Sequence, residues 1–239
     1  MANWIDLQNL ENHLNMKTLF NENEYFNEDY YERGAETGKS LYSHYRWMPE
    51  LTIPMAHHII NTTATMTMYR DKVLDFGCAK GYTVYALRLL GIKAFGVDVS
   101  EYAISQAPKE VSKFLGVIKP FEEIGKCTKG TGYDWVLCKD ILEHIEYKNI
   151  ERQLEILNRG CTRIFIIVPL GENGKYVIPS YELDKSHFIR EDINWWTKKV
   201  EDSGYTILES THDLGPFKKN WQFEPKGNAL IMGVRKGNI

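Results

Sequence analysis

The sequence predicts an α/β fold: a doubly wound, mostly parallel sheet with helices on both faces and an antiparallel hairpin at its C-terminal end. Three observations carry this. From Lys72 onward, short apolar runs alternate with segments of helical periodicity, the pattern of repeated βα units. The run Arg163 to Val168 (RIFIIV) is nearly all apolar, as a central parallel strand covered on both faces must be. The last two strand-like runs, Tyr205 to Ser210 and Ala229 to Arg235, leave no room for a crossover helix and so pair as a hairpin.

The elements follow in order. Residues 1–70 read as an N-terminal arm and helix forming a lid, and 71–239 as the sheet domain. Between Phe20 and Pro49 the arm packs eight aromatics among charges and glycines, with neither helical nor alternating periodicity. Leu51 to Tyr69 looks helical, with Met55, Ile59 and Ile60 on one face and Pro54 tolerated near a first turn. Val73 to Phe76 is a buried strand ending at Gly77. Tyr82 to Leu90 is a helix that Gly91 closes. Ala94 to Val99 is the second strand, and Ser100 caps a short helix that ends before Pro108. Phe114 to Ile118 is a weak third strand and Tyr133 to Cys138 the fourth. A helix near Asn149 to Asn158 aligns Ile150, Leu154 and Leu157 before the fifth strand, and a helix from Glu191 to Ser203 precedes the hairpin.

Composition narrows the function classes. The 239 residues include 29 Lys plus Arg and 32 Asp plus Glu, a net charge of −3, with 43% hydrophobic residues. That content excludes disorder as the main state. No surplus of positive charge exists to displace counterions from phosphates, which argues against nucleic acid as partner. The longest apolar run, Ile164 to Leu170, is far below the roughly 18–20 residues a membrane span needs. The polar start lacks the features of a signal peptide. Four cysteines (Cys78, Cys127, Cys138, Cys161) have no zinc spacing and read as reduced thiols in the cytoplasm. The unusual quantity is the aromatic content of 13%, with 14 Tyr and 6 Trp. Trp195, Trp196 and Trp221 read as core or edge packing, with at most one of the adjacent pair facing inward.

The chemistry concentrates at strand ends. Val73 to Gly81 (VLDFGCAKG) is a strand, a tight turn of small residues and a helix start, which brings backbone N–H groups and the positive helix end toward a ligand. Gly77, Ala79 and Gly81 permit close backbone approach. A dinucleotide fingerprint fails, because Ala79 stands at the middle glycine position and Tyr82 at the third. A phosphate-cradling GxxxxGK[ST] loop is absent. Asp98 ends the second strand, where an acid accepts two ribose hydroxyls in nucleotide-binding sheets.

The DxGxAxG loop, GVDVS and YDWVLCKDILEHI together resemble the class I S-adenosylmethionine-dependent methyltransferases, over roughly Lys72 to Arg235. The resemblance implies a Rossmann-like sheet of strand order 3-2-1-4-5-7-6 and S-adenosyl-L-methionine as cofactor. It places Asp75, Gly77, Cys78, Ala79 and Gly81 around the methionine moiety and Asp98 on the ribose, with Val99, Lys139 and Tyr45 as further cofactor contacts. The family often has an acid after the third strand to bind adenine. Here the stretch is Ile118-Lys119-Pro120-Phe121, with Glu122 and Glu123 slightly late, so the adenine contact stays open.

Asp140-Ile141-Leu142-Glu143-His144 follows the fourth strand, and at helical spacing Asp140, Glu143 and His144 share a face. Asp184 to Phe188 (DKSHF) should reach the same edge. Methyl transfer to a hydroxyl needs that oxygen deprotonated, by a base such as His144 or His187 with Asp140 beside it, or by a metal. The segment resembles two groups that carry ExxEH here and use a divalent metal: ubiquinone-biosynthesis O-methyltransferases and small-RNA 3′-end 2′-O-methyltransferases. That resemblance implies Asp140, Glu143, His144 and His187 as ligands of Mg or Mn, with Asp in place of the first Glu. Many methyltransferases carry LEH at this place without a metal, so both readings stay open.

Other acceptors are disfavoured. Lys139 to Leu142 is not the Asp/Asn-Pro-Pro-aromatic run of base-amine methylation, and no cysteine follows a proline as a cytosine-ring nucleophile must. The arm's pattern YxxGxETGKSxYxxYRW ahead of LDFGCAKG resembles bacterial or phage methyltransferases associated with surface glycans. The expected activity is O-methylation of a sugar or other small-molecule hydroxyl. Methylation of an RNA 2′-hydroxyl with a divalent metal, or cofactor binding without catalysis, are the alternatives.

Overall fold

In this computed structural model, residues 21–63, 71–124, 132–215, 217–218 and 223–237 are described. The polar N-terminus, residues 64–69 of the expected first helix, Cys127 and Trp221 lie outside the described residues. The arm opens with three short helices, α1 (Glu22–Tyr25), α2 (Glu28–Glu32) and α3 (Gly34–Thr37). Helix α4 (Pro49–Thr63) starts two residues earlier than its apolar pattern, because Pro49 is preset for a first helical position. Pro54 therefore lies inside the helix rather than in its first turn.

The βα units then run in the expected order. They are β1 (Lys72–Phe76), α5 (Tyr82–Leu89), β2 (Lys93–Asp98), α6 (Glu101–Ser105), β3 (Leu115–Val117), β4 (Tyr133–Lys139), α7 (Ile150–Gly160) and β5 (Cys161–Pro169). After a small hairpin of β6 (Gly171–Glu172) and β7 (Lys175–Tyr176) come α8 (Ile193–Asp202), β8 (Tyr205–Thr211) and β9 (Asn228–Arg235). Local chemistry explains the boundaries. Ser100 caps α6 by accepting from the Ala103 N–H at 3.0 Å, and Asp192 caps α8 by accepting from the Trp195 N–H at 2.8 Å. Gly91 adopts φ 85 beyond α5, a left-handed stop that few other residues accept.

The main sheet has seven strands in the order β3-β2-β1-β4-β5-β9-β8. The first five pair in parallel, and β9 pairs antiparallel with both β5 and β8. This is the Rossmann-like order that the resemblance implies, with β9 and β8 as the terminal hairpin strands. The β6–β7 hairpin lies outside that sheet and was not expected. Its turn residues Asn173 and Gly174 have φ 53 and 75, the pair of positive angles that an Asn-Gly turn supplies.

Strand alternation divides the core between the two faces. Val136, Ile164, Ile166 and Ile231 pack with Leu154 and Leu157 of α7 and Trp196 and Val200 of α8. Leu137, Phe165, Ile167 and Leu230 pack with Ile59 and Ile60 of α4 and Val84 and Leu87 of α5. Of the adjacent tryptophans, Trp196 is fully buried and Trp195 only packs at the edge. Cys78, Cys138 and Cys161 are free thiols, all buried. No helix among the described residues is long and apolar enough to cross a membrane. The arm's Phe26, Tyr30 and Tyr31 are buried against Ala79, Val99 and Ala103, at the ends of β1 and β2.

Candidate active site

The glycine loop after β1 is built for close approach. Gly77 has φ 77, and a Cβ there would meet the Ile141 side chain at 2.4 Å. Gly81 has φ 76, and a Cβ would meet Leu115 at 2.4 Å. Ala79 takes φ 48, and its N–H donates to Asp98 Oδ2 at 2.7 Å, while the Ser100 N–H donates to Asp98 Oδ1 at 2.8 Å. The loop therefore closes onto the end of β2. Burial holds the Asp98 carboxyl up to about 6 despite these N–H donors. Burial likewise holds Asp75 up to about 7, against the pull of the Lys139 ammonium, with Asp98 adding to the rise. Cys78 is buried in the loop, its Sγ facing Gly96 of β2.

Two contiguous clefts open along this edge. One is lined by the loop residues Gly77 and Ala79, by Asp98 and Val99, by Asp140, Ile141 and His144, and by Phe26, Tyr30, Tyr31 and Tyr42 of the arm. The other is a largely apolar slot between Val99, Ile118, Pro120, Phe121, Ile141 and Ile145. Both share Phe26, Val99, Ile141 and His144. Of the two late acids, Glu122 lines the slot and caps its loop through the Lys119 N–H at 3.1 Å. Glu123 instead pairs with Arg159 at an exposed position.

The expected cofactor contacts separate here. Gly77, Ala79, Asp98 and Val99 line the clefts. Tyr45 does not: it packs against Tyr42 and Tyr82, with ring centroids 4.8 and 5.3 Å away. Phe26, Tyr30, Tyr31 and Tyr42 are the arm residues lining the first cleft, and aromatic spacing in an irregular segment does not select Phe26, Tyr30 or Tyr31. The arm is tied down on the same side. Lys80, 5% exposed, forms an ion pair with Glu32 and donates to the Tyr45 carbonyl at 2.7 Å, and the Ser100 hydroxyl donates to the Phe26 carbonyl.

Beyond β4 the expected helical face is not formed. Asp140 has φ 53, and only a single 3-10 turn, Leu142–His144, follows it. The Asp140 carboxylate lines the cleft with His144 and meets Lys139 at 2.6 Å and Lys218 in a second ion pair. These two ammonium groups hold it well below the usual carboxylate range against the effect of burial. Asp140 therefore stands apart from the ligand cluster in which the ExxEH resemblance would place it. The cluster consists of Glu143, His144 and His187, whose ligand atoms lie within 4.8 Å of one another.

Each member of this cluster is positioned from the chain. The Glu143 carbonyl accepts from the Phe188 N–H at 2.8 Å, which draws the loop carrying His187 up to the 3-10 turn. The Glu143 side chain is 1% exposed, and its Oε2 has no hydrogen-bond partner among the described residues. Burial, reinforced by the Asp140 charge, raises its pKa. His187 Nδ1 lies 3.0 Å from the Tyr181 carbonyl, which can only accept, so Nδ1 carries the proton and Nε2 keeps its lone pair. The His144 and His187 rings are 4.6 Å apart, and burial lowers the pKa of both. His144 lines both clefts, whereas His187 sits behind it among Tyr176 and Tyr181.

Comparison with known proteins agrees with this geometry. The family described as "Methyltransferase domain" matches residues 69–213, more than half of the chain. The mitochondrial ubiquinone biosynthesis O-methyltransferase of Schizosaccharomyces pombe is 24% identical over 184 residues, covering 66% of this chain and 64% of that protein. The chain thus spans less than two thirds of that relative's length. Magnesium protoporphyrin IX methyltransferase of Synechocystis PCC 6803, solved with bound SAH, aligns at TM-score 0.58 and 16% identity over 89% of this chain and 97% of its own. The 1,6-didemethyltoxoflavin-N1-methyltransferase of Burkholderia thailandensis, solved with bound 1,6-didemethyltoxoflavin and S-adenosylhomocysteine, aligns at 0.57 and 12% identity over 98% and 92%. At such identities the solved structures speak for the fold. With the glycine loop, the sheet order and the matched residues taken together, the chain belongs to the methyltransferase-domain family.

Proposed function

We propose that this chain is an O-methyltransferase that moves the methyl group of S-adenosyl-L-methionine to a hydroxyl of a sugar or another small molecule. The observation that carries the reading is His144: a half-buried imidazole that lines the cleft beside Glu143 and His187. The cleft suits the donor in two parts. The Asp98 carboxylate, at the end of β2, fits the paired ribose hydroxyls, and the apolar slot of Val99, Phe121 and Ile141 fits a flat adenine ring. Gly77 and Ala79 let the backbone approach the methionine part, with Asp75 buried behind them.

When bound, the sulfonium supplies an electrophilic methyl group whose C–S bond breaks with the electron pair kept by sulfur. His144 then serves as general base. Its Nε2 takes the acceptor proton while the hydroxyl oxygen bonds to the methyl carbon, and the lowered pKa keeps the ring neutral and ready to accept. The aromatic wall of Tyr30, Tyr31 and Tyr42 excludes water and offers faces on which a sugar or ring can stack.

A second reading is favoured by one observation, the unpaired Glu143 Oε2. A buried carboxylate oxygen without a donor, next to two imidazoles with free lone pairs, suits a divalent cation such as Mg or Mn. Glu143, His144 and His187 would hold it, and its chemistry is to lower the pKa of the acceptor hydroxyl. The same site would also serve an RNA 2′-hydroxyl, against which the net charge of −3 stands.

Transfer of labelled methyl groups into fractionated cell extract, with and without a chelator, tests these readings together. Label in a small-molecule or glycan fraction, unchanged by the chelator, is the expected result for His144 as base. Loss of transfer on chelation, restored by Mn, assigns the step to the metal set. Label in RNA alone, or none in any fraction, overturns the proposal.

A further inference from the structure

A chain of hydrogen bonds, buried up to a part-buried last link, runs from the arm to His144; of its members before His144, only Tyr30 has a place in the site described above, as part of the cleft wall. The Tyr30 hydroxyl donates to Asp184 Oδ2 at 2.8 Å. Asp184 Oδ1 accepts from the Ser186 N–H at 2.9 Å and from the Ser186 hydroxyl at 2.6 Å. The Ser186 Oγ lies 2.7 Å from His144 Nδ1. Tyr30 and Asp184 are each 4% exposed and Ser186 is fully buried, so water does not compete for these groups.

The donors and acceptors can be assigned by counting protons. Asp184 accepts three hydrogen bonds and donates none. Ser186 has one hydroxyl proton, and the carboxylate takes it. The Ser186 oxygen therefore has only lone pairs left for His144, so Nδ1 must carry the proton. The lone pair of His144 is thereby confined to Nε2. A neutral imidazole free to exchange tautomers would present that lone pair only part of the time.

We propose that Asp184, Ser186 and Tyr30 are positioning residues that lock His144 in its Nδ1–H tautomer, and that the Tyr30 hydroxyl couples this lock to docking of the arm. The arm carries a further contact with the same ring, Phe26, whose ring centroid lies 5.6 Å from that of His144 in a T-shaped arrangement. The Phe26 carbonyl is in turn held by Ser100, which follows the Asp98 strand end. A single segment thus touches both the cofactor side and the ring that acts on the acceptor. The proposal rests on His144 acting through Nε2, as base or as ligand, and outer-shell partners of this kind set the tautomer of functional histidines in general.

Long-range ¹H–¹⁵N spectra of the full chain labelled at histidine nitrogens, at mildly alkaline pH, test it directly. His144→Gln identifies the resonances. In the wild type His144 should show the Nδ1–H pattern. Ser186→Ala should lose that pattern in favour of Nε2–H or an average of the two, and Ser186→Thr, which keeps the hydroxyl, should restore it. Tyr30→Phe keeps the ring packing and removes only the hydroxyl, and should weaken the preference. An Nε2–H pattern in the wild type, or an unchanged Nδ1–H pattern in both Ser186→Ala and Tyr30→Phe, overturns the proposal. These spectra need no acceptor and no metal. A correct tautomer without methyl transfer would therefore overturn the functional reading alone, and transfer with the other tautomer would overturn the lock alone.

Discussion

At Asp98, placed by our proposal on the donor ribose, burial would tie donor binding to pH. Its carboxyl is held up to about 6 by burial, above the ordinary 3.8, so the folded state favours the protonated form. The sign follows: its contribution to stability is full below about pH 4 and is lost as pH rises through about 6. Donor binding runs the opposite way, because the ionised carboxylate is the better acceptor for ribose hydroxyls. Affinity for S-adenosylhomocysteine should therefore fall as pH drops through about 6, and Asp98→Asn should flatten that dependence. Replacing Asp98 by Ala removes two charge-assisted hydrogen bonds, about 3 kcal/mol, and should weaken binding about a hundredfold by calorimetry. Unchanged affinity would remove Asp98 from the donor site.

At the scale of elements, the β1–α5 turn shapes the proposed donor edge through its glycines. Gly77→Ala would force a Cβ to 2.4 Å from Ile141 while holding φ at 77. The strain should cost about 1–3 kcal/mol of stability and lower donor affinity with it, read by thermal unfolding and calorimetry on the same sample. These parts of the fold were legible because their signals are local. Apolar runs of strand length, Ser100 as a cap and Gly91 as a stop each act within a few residues. The segment after β4 was misread for the complementary reason. Helical spacing of Asp140, Glu143 and His144 suggests one face, but a left-handed φ at Asp140 and ion pairs to Lys139 and Lys218 come from tertiary structure. Lys218, far along the chain, carries no sequence signal of its meeting with Asp140. The distant DKSHF segment was legible as a neighbour of the site, whereas the Ser186–His144 bond within it was not.

Across the whole molecule, the contacts that hold the arm include Glu32 to Lys80 of the glycine loop, Phe26 to Ser100, and Tyr30 to Asp184. The aromatic excess of the sequence is explained in part by this docking, since Phe26, Tyr30 and Tyr31 are buried in it. Removing one partner of the part-buried, charge-assisted hydrogen bond between Lys80 and Glu32 costs about 1.5–3 kcal/mol. Lys80→Met should accordingly open the arm, seen as trypsin cleavage at Arg33 and Lys39 at least tenfold faster than in the wild type. S-adenosylhomocysteine should slow that cleavage. Equal cleavage rates in the two proteins would mean that the arm stays docked without the ion pair.

The sheet order has a consequence for how the chain is made. Among the described strands of the sheet β9 comes last in chain order, yet it lies between β5 and β8 and is buried along nearly its whole length. Until it arrives, β5 presents the open edge of an almost wholly apolar strand, and β8 has no place to bind. Such an edge is a template for pairing with other nascent chains. Synthesis therefore includes an interval in which the parallel strands β1 to β5 are formed while the sheet is unfinished, and the yield of soluble protein should depend on how quickly residues 228–235 close that edge.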